Sequence, residues 1–194
     1  MNPQHDPRDP RELERELLAL RCRRGERAAW EELVATFERP LYYYIRRMVR
    51  GGDEAWVVLQ ECWVRVFTNV ATLEDPRKLA PWIYSVARTA LRQRVSELAR
   101  ERTTTVELED ALDEHSDDEL AHDTAHDAER VHAALSELAA PQREVLVLFF
   151  LEDLSLQAIS EVLEIPVGTV KSRLYHARRA LSQVLSKLEA RHGC

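Results

Sequence analysis

The stretch EIPVGTVKSRLYHARRAL, Glu164 to Leu181, decides how this chain is read. At about 100° per residue, Val170, Leu174, Ala177 and Leu181 fall on one narrow helical face. Ser172, Tyr175, His176 and Arg179 lie opposite, with Thr169 near the helix start. Lys171 and Arg178 flank one side and Arg173 the other. The apolar face is suited to packing. Hydroxyls, an imidazole and guanidinium groups are side chains that meet base edges and phosphates in a major groove. The helix N-terminus adds free N–H groups for a phosphate. A solvated amphipathic helix shows the same pattern, and the preceding residues shift the balance toward DNA. Ser155 is placed to cap a short helix whose apolar side is Leu156, Ile159, Val162 and Leu163. A tight turn then leads into a longer, more basic helix, the layout of a helix-turn-helix.

Outward from this pair, the periodicity predicts helices at 128–139, 141–151, 155–163 and 167–189. Residues 101–130 break the pattern: they are aromatic-free and carry 12 Asp/Glu against 2 Lys/Arg. Such a segment reads as an acidic linker. It supplies more than the whole net charge of −7, leaving the flanking parts neutral to slightly basic. An acidic total therefore does not exclude a nucleic-acid partner.

Before the linker, ELERELLALRCR is a plausible leading helix. Trp30, Leu33, Val34 and Phe37 recur at helical spacing, as do Leu41, Tyr44, Ile45 and Met48 beyond Pro40. Gly51-Gly52 stops that run. Trp56, Leu59, Trp63, Val66, Phe67 and Val70 mark the next helix. Asp75-Pro76 reads as a turn or helix start, and Ile83, Val86, Ala87, Ala90 and Leu91 mark another. The chain has 194 residues with only 5 glycines, and nothing resembles strand-turn-strand punctuation. The expected fold is all-α: an N-terminal extension at 1–25, a small helical bundle at 26–100, the acidic linker at 101–130 and a helix-turn-helix unit at 131–190.

Several classes are excluded. No apolar run reaches the roughly 18 residues that span a membrane, and the N-terminus lacks the apolar centre of a signal peptide. A cytoplasmic chain with no membrane insertion is expected. Cys22, Cys62 and Cys194 are too scattered for a disulfide framework, and Cys62 reads as a small core residue. His122 and His126 are one helical turn apart and lie near His115 and His132. The cysteines and rigid frame of a structural zinc site are missing, so no metal is expected. No phosphate loop, nucleophile elbow or metalloprotease motif is present, so neither cofactor nor catalysis is expected.

The segment LSELAAPQREVLVLFFLEDLSLQAISEVLEIPVGTVKSRLYHARRAL, Leu135 to Leu181, resembles region 4 of bacterial RNA polymerase sigma factors of the extracytoplasmic-function (ECF) group. AAWEELVATFERPLYYYIRRM, EAWVVLQECWVRVF and APWIYSVARTALRQRV resemble successive segments of sigma region 2. This resemblance implies a transcription factor that binds the β and β′ subunits of core RNA polymerase and promoter DNA, and that is held inactive by an anti-sigma protein. It places −35 contacts on Thr169, Lys171, Ser172, Arg173, Tyr175, His176, Arg178 and Arg179. It places −10 contacts on Asn69, Arg77, Lys78, Trp82, Arg88 and Arg92, and polymerase contacts on Val57, Gln60 and Glu61. Of Trp82 and Tyr84, Trp82 is the expected core residue. Trp56-Val57 stands where the family usually has an acidic pair, Thr89 where it has Asn, and Glu164 where it has Gly. A stand-alone helix-turn-helix regulator and a degenerate sigma acting as a protein-interaction adaptor remain as alternatives.

Overall fold

A computed structural model describes residues 10–49, 51–104 and 133–192, with side chains up to residue 100 before the linker and up to residue 187 after it. The first unit has four helices: α1 (Pro10–Arg23), α2 (Arg27–Met48), α3 (Gly52–Asn69) and α4 (Leu79–Thr104). Two 3-10 turns, Val70–Thr72 and Pro76–Lys78, link α3 to α4. The second unit has a helical turn at 133–136, then α5 (Ala140–Leu146), a π turn (Val147–Leu151), α6 (Leu156–Leu163) and α7 (Val167–His192). There is no strand among the described residues. None of their helices is long and apolar enough to cross a membrane.

The helices form where the apolar period lies. Leu33, Phe37, Leu41 and Tyr44 of α2 share one face and are all buried. Pro40 sits inside α2 without ending it, because this buried stripe continues on both sides of it. In α3 the buried set is Ala55, Val58, Leu59, Cys62, Trp63 and Val66. Leu18, Ala19 and Cys22 seat α1 against α2 and the turn at Pro76–Lys78. A fully buried Leu, Ile or Val contributes about 1.5–3 kcal/mol. Both described cysteines are buried thiols, pushed up by burial to about 11 at Cys22 and about 12 at Cys62. They are therefore unreactive as thiolates near neutral pH. Cys194 and the four histidines of the linker region lie outside the described residues.

Local caps set the element ends. The Asp75 carboxylate accepts from the Arg77 backbone N–H at 3.1 Å, fixing the turn at Pro76–Lys78. The Ser155 hydroxyl accepts from the Ala158 N–H at 3.1 Å and starts α6. Glu164 ends α6 in the left-handed region at φ 55° and ψ 42°. Ile165 N–H then reaches back to the Ser160 carbonyl at 3.1 Å, closing the turn before α7.

The two units pack against each other. Helix α4 lies on α6, and α2 lies on α5 and the π turn. Glu144 of α5 accepts hydrogen bonds from the Tyr44 hydroxyl at 3.0 Å and from Arg88 Nε at 3.1 Å. The Tyr84 hydroxyl donates to Glu152, and Lys78 Nζ donates to Glu161 at 2.8 Å. Arg143 Nη1 donates to the Arg47 carbonyl at 2.9 Å. Tyr44 and Tyr84 meet edge to face, with ring centroids 5.5 Å apart.

The sequence placed Trp82 in the core and Tyr84 outside; the structure reverses them. Tyr84 is 3% exposed, while Trp82 is half-buried at the edge of the core. The cause is the second unit, which covers the face of α4 that carries Tyr84 and gives its hydroxyl a carboxylate.

Candidate nucleic-acid interface

Helix α7 divides as its sequence predicts. Val170, Leu174 and Ala177 are at most 4% exposed, and Leu181 packs at the core edge. Lys171, Ser172, Tyr175, His176, Arg178 and Arg179 are exposed, with Thr169 and Arg173 intermediate. Tyr175 and His176 stand edge to face at 5.3 Å between centroids. The Arg179 guanidinium lies over the Tyr175 ring at 5.8 Å. Arg178 lies over Phe149 and Phe150 at 5.2 and 4.9 Å. That stacking orients the guanidinium of Arg178, a residue that stays exposed. Among the described residues, no carboxylate is ion-paired with Lys171, Arg173, Arg178 or Arg179. Cations left without acidic neighbours are available to phosphates.

The candidate −10 residues are placed differently. Asn69 ends α3, exposed, with its amide on the Arg65 carbonyl at 2.8 Å. Arg77 folds back onto Asp75, and this contact holds the Asp75 carboxyl below its ordinary range. Lys78 and Arg88 are paired with Glu161 and Glu144 of the other unit. Arg92 is exposed and Trp82 half-buried. Only part of this set forms one open surface here. Thr89 is exposed, and its hydroxyl donates to the Ser85 carbonyl of its own helix at 2.9 Å.

The candidate polymerase residues lie on α3. Val57 and Gln60 are exposed, and Glu61 is ion-paired with Arg65. The structure adds residues to this face. Trp56, Val57, Val64 and Phe67 are 46–61% exposed, at near-helical spacing along α3. Trp56 stacks on Tyr42 at 4.6 Å and Phe67 on Trp30 at 4.9 Å, which holds the stripe rigid. The sequence reading used Trp56 and Phe67 to mark this helix without separating its buried side from its exposed one. The available signal was that the apolar residues of α3 exceed what one buried face can hold, so some had to face outward.

Glu144, Glu152 and Glu161 were not legible as partners of the first unit. Burial raises Glu152 to about 7, against the opposing effect of the Tyr84 hydrogen bond. Burial also raises the Tyr44 and Tyr84 phenols, with Glu144 and Glu152 adding to it. No cluster of potential metal ligands occurs among the described residues.

The fold and this face define a two-unit helical protein with a helix-turn-helix. Residues 33–101 match the family description Sigma-70 region 2, and residues 128–181 match Sigma-70, region 4. The ECF RNA polymerase sigma factor SigW of Bacillus subtilis is 28% identical over 175 residues, which are 86% of this chain and 94% of SigW. The ECF RNA polymerase sigma-E factor of Escherichia coli K12 is 25% identical over 186 residues, 91% and 97% of the two chains. In fold, RpoE of Bartonella quintana, solved with the anti-sigma factor NepR, gives a TM-score of 0.69 at 19% identity, covering 81% of this chain and 96% of that one. CnrH, solved with the cytosolic domain of CnrY, gives 0.67 at 21% identity, covering 89% and 97%. The chain belongs to the sigma-70 family, in its ECF group, and acts as a sigma factor in transcription initiation. This is not a family of catalytic enzymes.

Proposed function

We propose that this sigma factor reads the −35 element with the outward face of α7 and engages the −10 strand with residues between Asn69 and Arg92. Residues 26–100 and 131–190 act as its two working domains, with 101–130 as the tether between them. The exposed stripe Trp56, Val57, Gln60, Val64 and Phe67 meets core polymerase. An apolar contact there replaces the acidic pair that the family usually carries. The chain supplies no catalytic chemistry and works in the cytoplasm with polymerase. An anti-sigma protein holds it inactive, as the fold neighbours' complexes suggest by analogy.

The observation that carries this reading is the division of α7: three buried apolar anchors on one side, and on the other an exposed polar face whose cations have no carboxylate partner among the described residues. The test is selection of a −35 library by holoenzymes carrying substitutions in α7. Ser172→Ala or His176→Ala should change the preferred sequence, with roughly 1–3 kcal/mol at stake per good base contact. Lys171→Ala or Arg173→Ala should weaken all sequences alike and reduce the salt slope by about one per lost phosphate contact. Unchanged preference in the Ser172 and His176 variants would show that this face does not read bases.

A further inference from the structure

We propose that α1 is a positioning element for the −10 contact: through Leu18, Ala19 and Cys22 it seats the turn Pro76–Lys78, which presents Arg77 to the melted strand. The inference rests on the assignment of Arg77 to that strand. It extends the first working domain back to residue 10, ahead of the family match, which begins at residue 33.

Three observations support it. First, the turn does not seat itself. None of Pro76, Arg77 and Lys78 is buried. Its own order comes from short-range bonds. The Asp75 carboxylate accepts from Arg77 Nε at 2.9 Å and Nη2 at 3.0 Å, and the Lys78 N–H donates to the Asp75 carbonyl at 2.9 Å. These bonds shape the turn and aim Arg77 relative to Asp75. They do not fix the turn against the bundle, which takes packed side chains from outside it.

Second, α1 supplies that packing. It lies on the turn Pro76–Lys78, on the turn Val70–Thr72, and on α2 and α4. Leu18, Ala19 and Cys22 are 3%, 0% and 1% exposed. Leu18 and Cys22 are one helical turn apart with Ala19 beside them, so the three form one buried side. Glu16 of the same helix adds an electrostatic attraction on Arg77.

Third, α1 is itself held at a fixed angle. Gly25 follows it at φ 75°. The Glu26 N–H donates to the Arg21 carbonyl at 3.3 Å and the Gly25 N–H to the Cys22 carbonyl at 2.9 Å. These are the paired bonds of a left-handed glycine cap. Arg21 then reaches Glu26 at 3.1 Å and Glu32 of α2 at 2.7 Å. The Arg15 guanidinium lies over the Phe37 ring of α2 at 5.8 Å. A helix tied to α2 at its end and along its length gives the turn a rigid seat. A cation placed beforehand loses less freedom when the strand arrives, and so binds it more tightly.

The test uses the full chain in holoenzyme with core polymerase. The probe is the single non-template −10 strand of a promoter selected by the wild-type holoenzyme, followed by fluorescence anisotropy. Leu18→Ala should lower strand affinity about fivefold or more, while affinity for core polymerase stays within about twofold of wild type. Leu18→Met nearly conserves the volume and should restore strand affinity to within about twofold. Leu41→Ala empties a buried site of α2; it controls for general loosening and should cost less than about twofold. The decisive arm is a double-mutant cycle with Arg77→Ala. A helix that acts by placing Arg77 adds no more than about twofold once Arg77 is gone, whereas a general loss of stability multiplies. If Leu18→Ala loses helicity, Arg21→Gln replaces it in the cycle, since that side chain is partly exposed; a loss of about threefold or more is expected. Unchanged strand affinity in the α1 variant overturns the proposal, as do losses that multiply in the cycle or an equal loss in Leu41→Ala. Failure of the −10 reading is separate: Arg77→Ala alone would then leave strand affinity unchanged, and the proposal would fall with it.

Discussion

Glu164→Gly tests the cost of a single backbone conformation. Glu164 sits in the left-handed region at the end of α6, where glycine is the usual residue. A side chain there costs about 1–2 kcal/mol through the clash of Cβ with the following carbonyl. Removing it relieves that strain but frees the unfolded chain, which offsets about 0.4–1 kcal/mol. The net gain should be about 0.5–1 kcal/mol. Glu164 is exposed and, among the described residues, its side chain makes no hydrogen bond or ion pair, so little else changes. In a protein of this size, 1 kcal/mol moves Tm by about 2–4 °C, so a rise of about 1–4 °C is expected. Thermal and urea denaturation of the full chain, followed by circular dichroism, measure it. Glu164→Ala is the control, because it keeps Cβ and the strain. Asp153→Gly should gain less, since Asp tolerates its φ of 49° better than Glu tolerates 55°. If Glu164→Gly is no more stable than Glu164→Ala, the turn is not held left-handed and the reasoning fails.

Other substitutions separate the remaining roles. Ser155→Ala removes the cap on the Ala158 N–H and should destabilise the chain by about 1 kcal/mol in urea titration, whereas Ser155→Asp should retain most of it. Val64→Glu alters a side chain that is 61% exposed, so folding should be unaffected while affinity for core polymerase falls at least tenfold in a fluorescence titration. A normal affinity would remove α3 from the polymerase contact. Glu152 supplies a pH dependence. Its value of about 7 in the folded chain lies above the ordinary 4.5, so its favourable contribution is complete below about 4.5 and is lost as pH rises through about 7. The packing between the two units should weaken between pH 5 and 8, by at most about 3 kcal/mol at 1.36 per unit. Glu152→Gln should flatten this slope in urea titration and in hydrogen exchange at the contact between the units, and a slope that persists would assign it to another group.

Much of the fold was legible because its causes are local. The four helices of the first unit, the cap at Ser155, the turn at Asp75-Pro76 and the two faces of α7 all arise from neighbours within about one helical turn. The left-handed site at Glu164 was legible through the resemblance, because a glycine is expected there. Repeating apolar residues give a helix its buried side whatever the rest of the chain does. The sequence alone therefore determined an all-α chain with a helix-turn-helix and named the side chains of its outward face. Tertiary structure decided what period and caps do not encode. It brought Glu144 to Tyr44 and Arg88, which lie 100 and 56 residues away. It buried Tyr84 in place of Trp82 and left Trp56 and Phe67 on the surface. Each depends on which apolar face of one helix meets which face of another. Packing sets that match across the whole molecule, and a carboxylate becomes a partner or a buried acid only after the units have met.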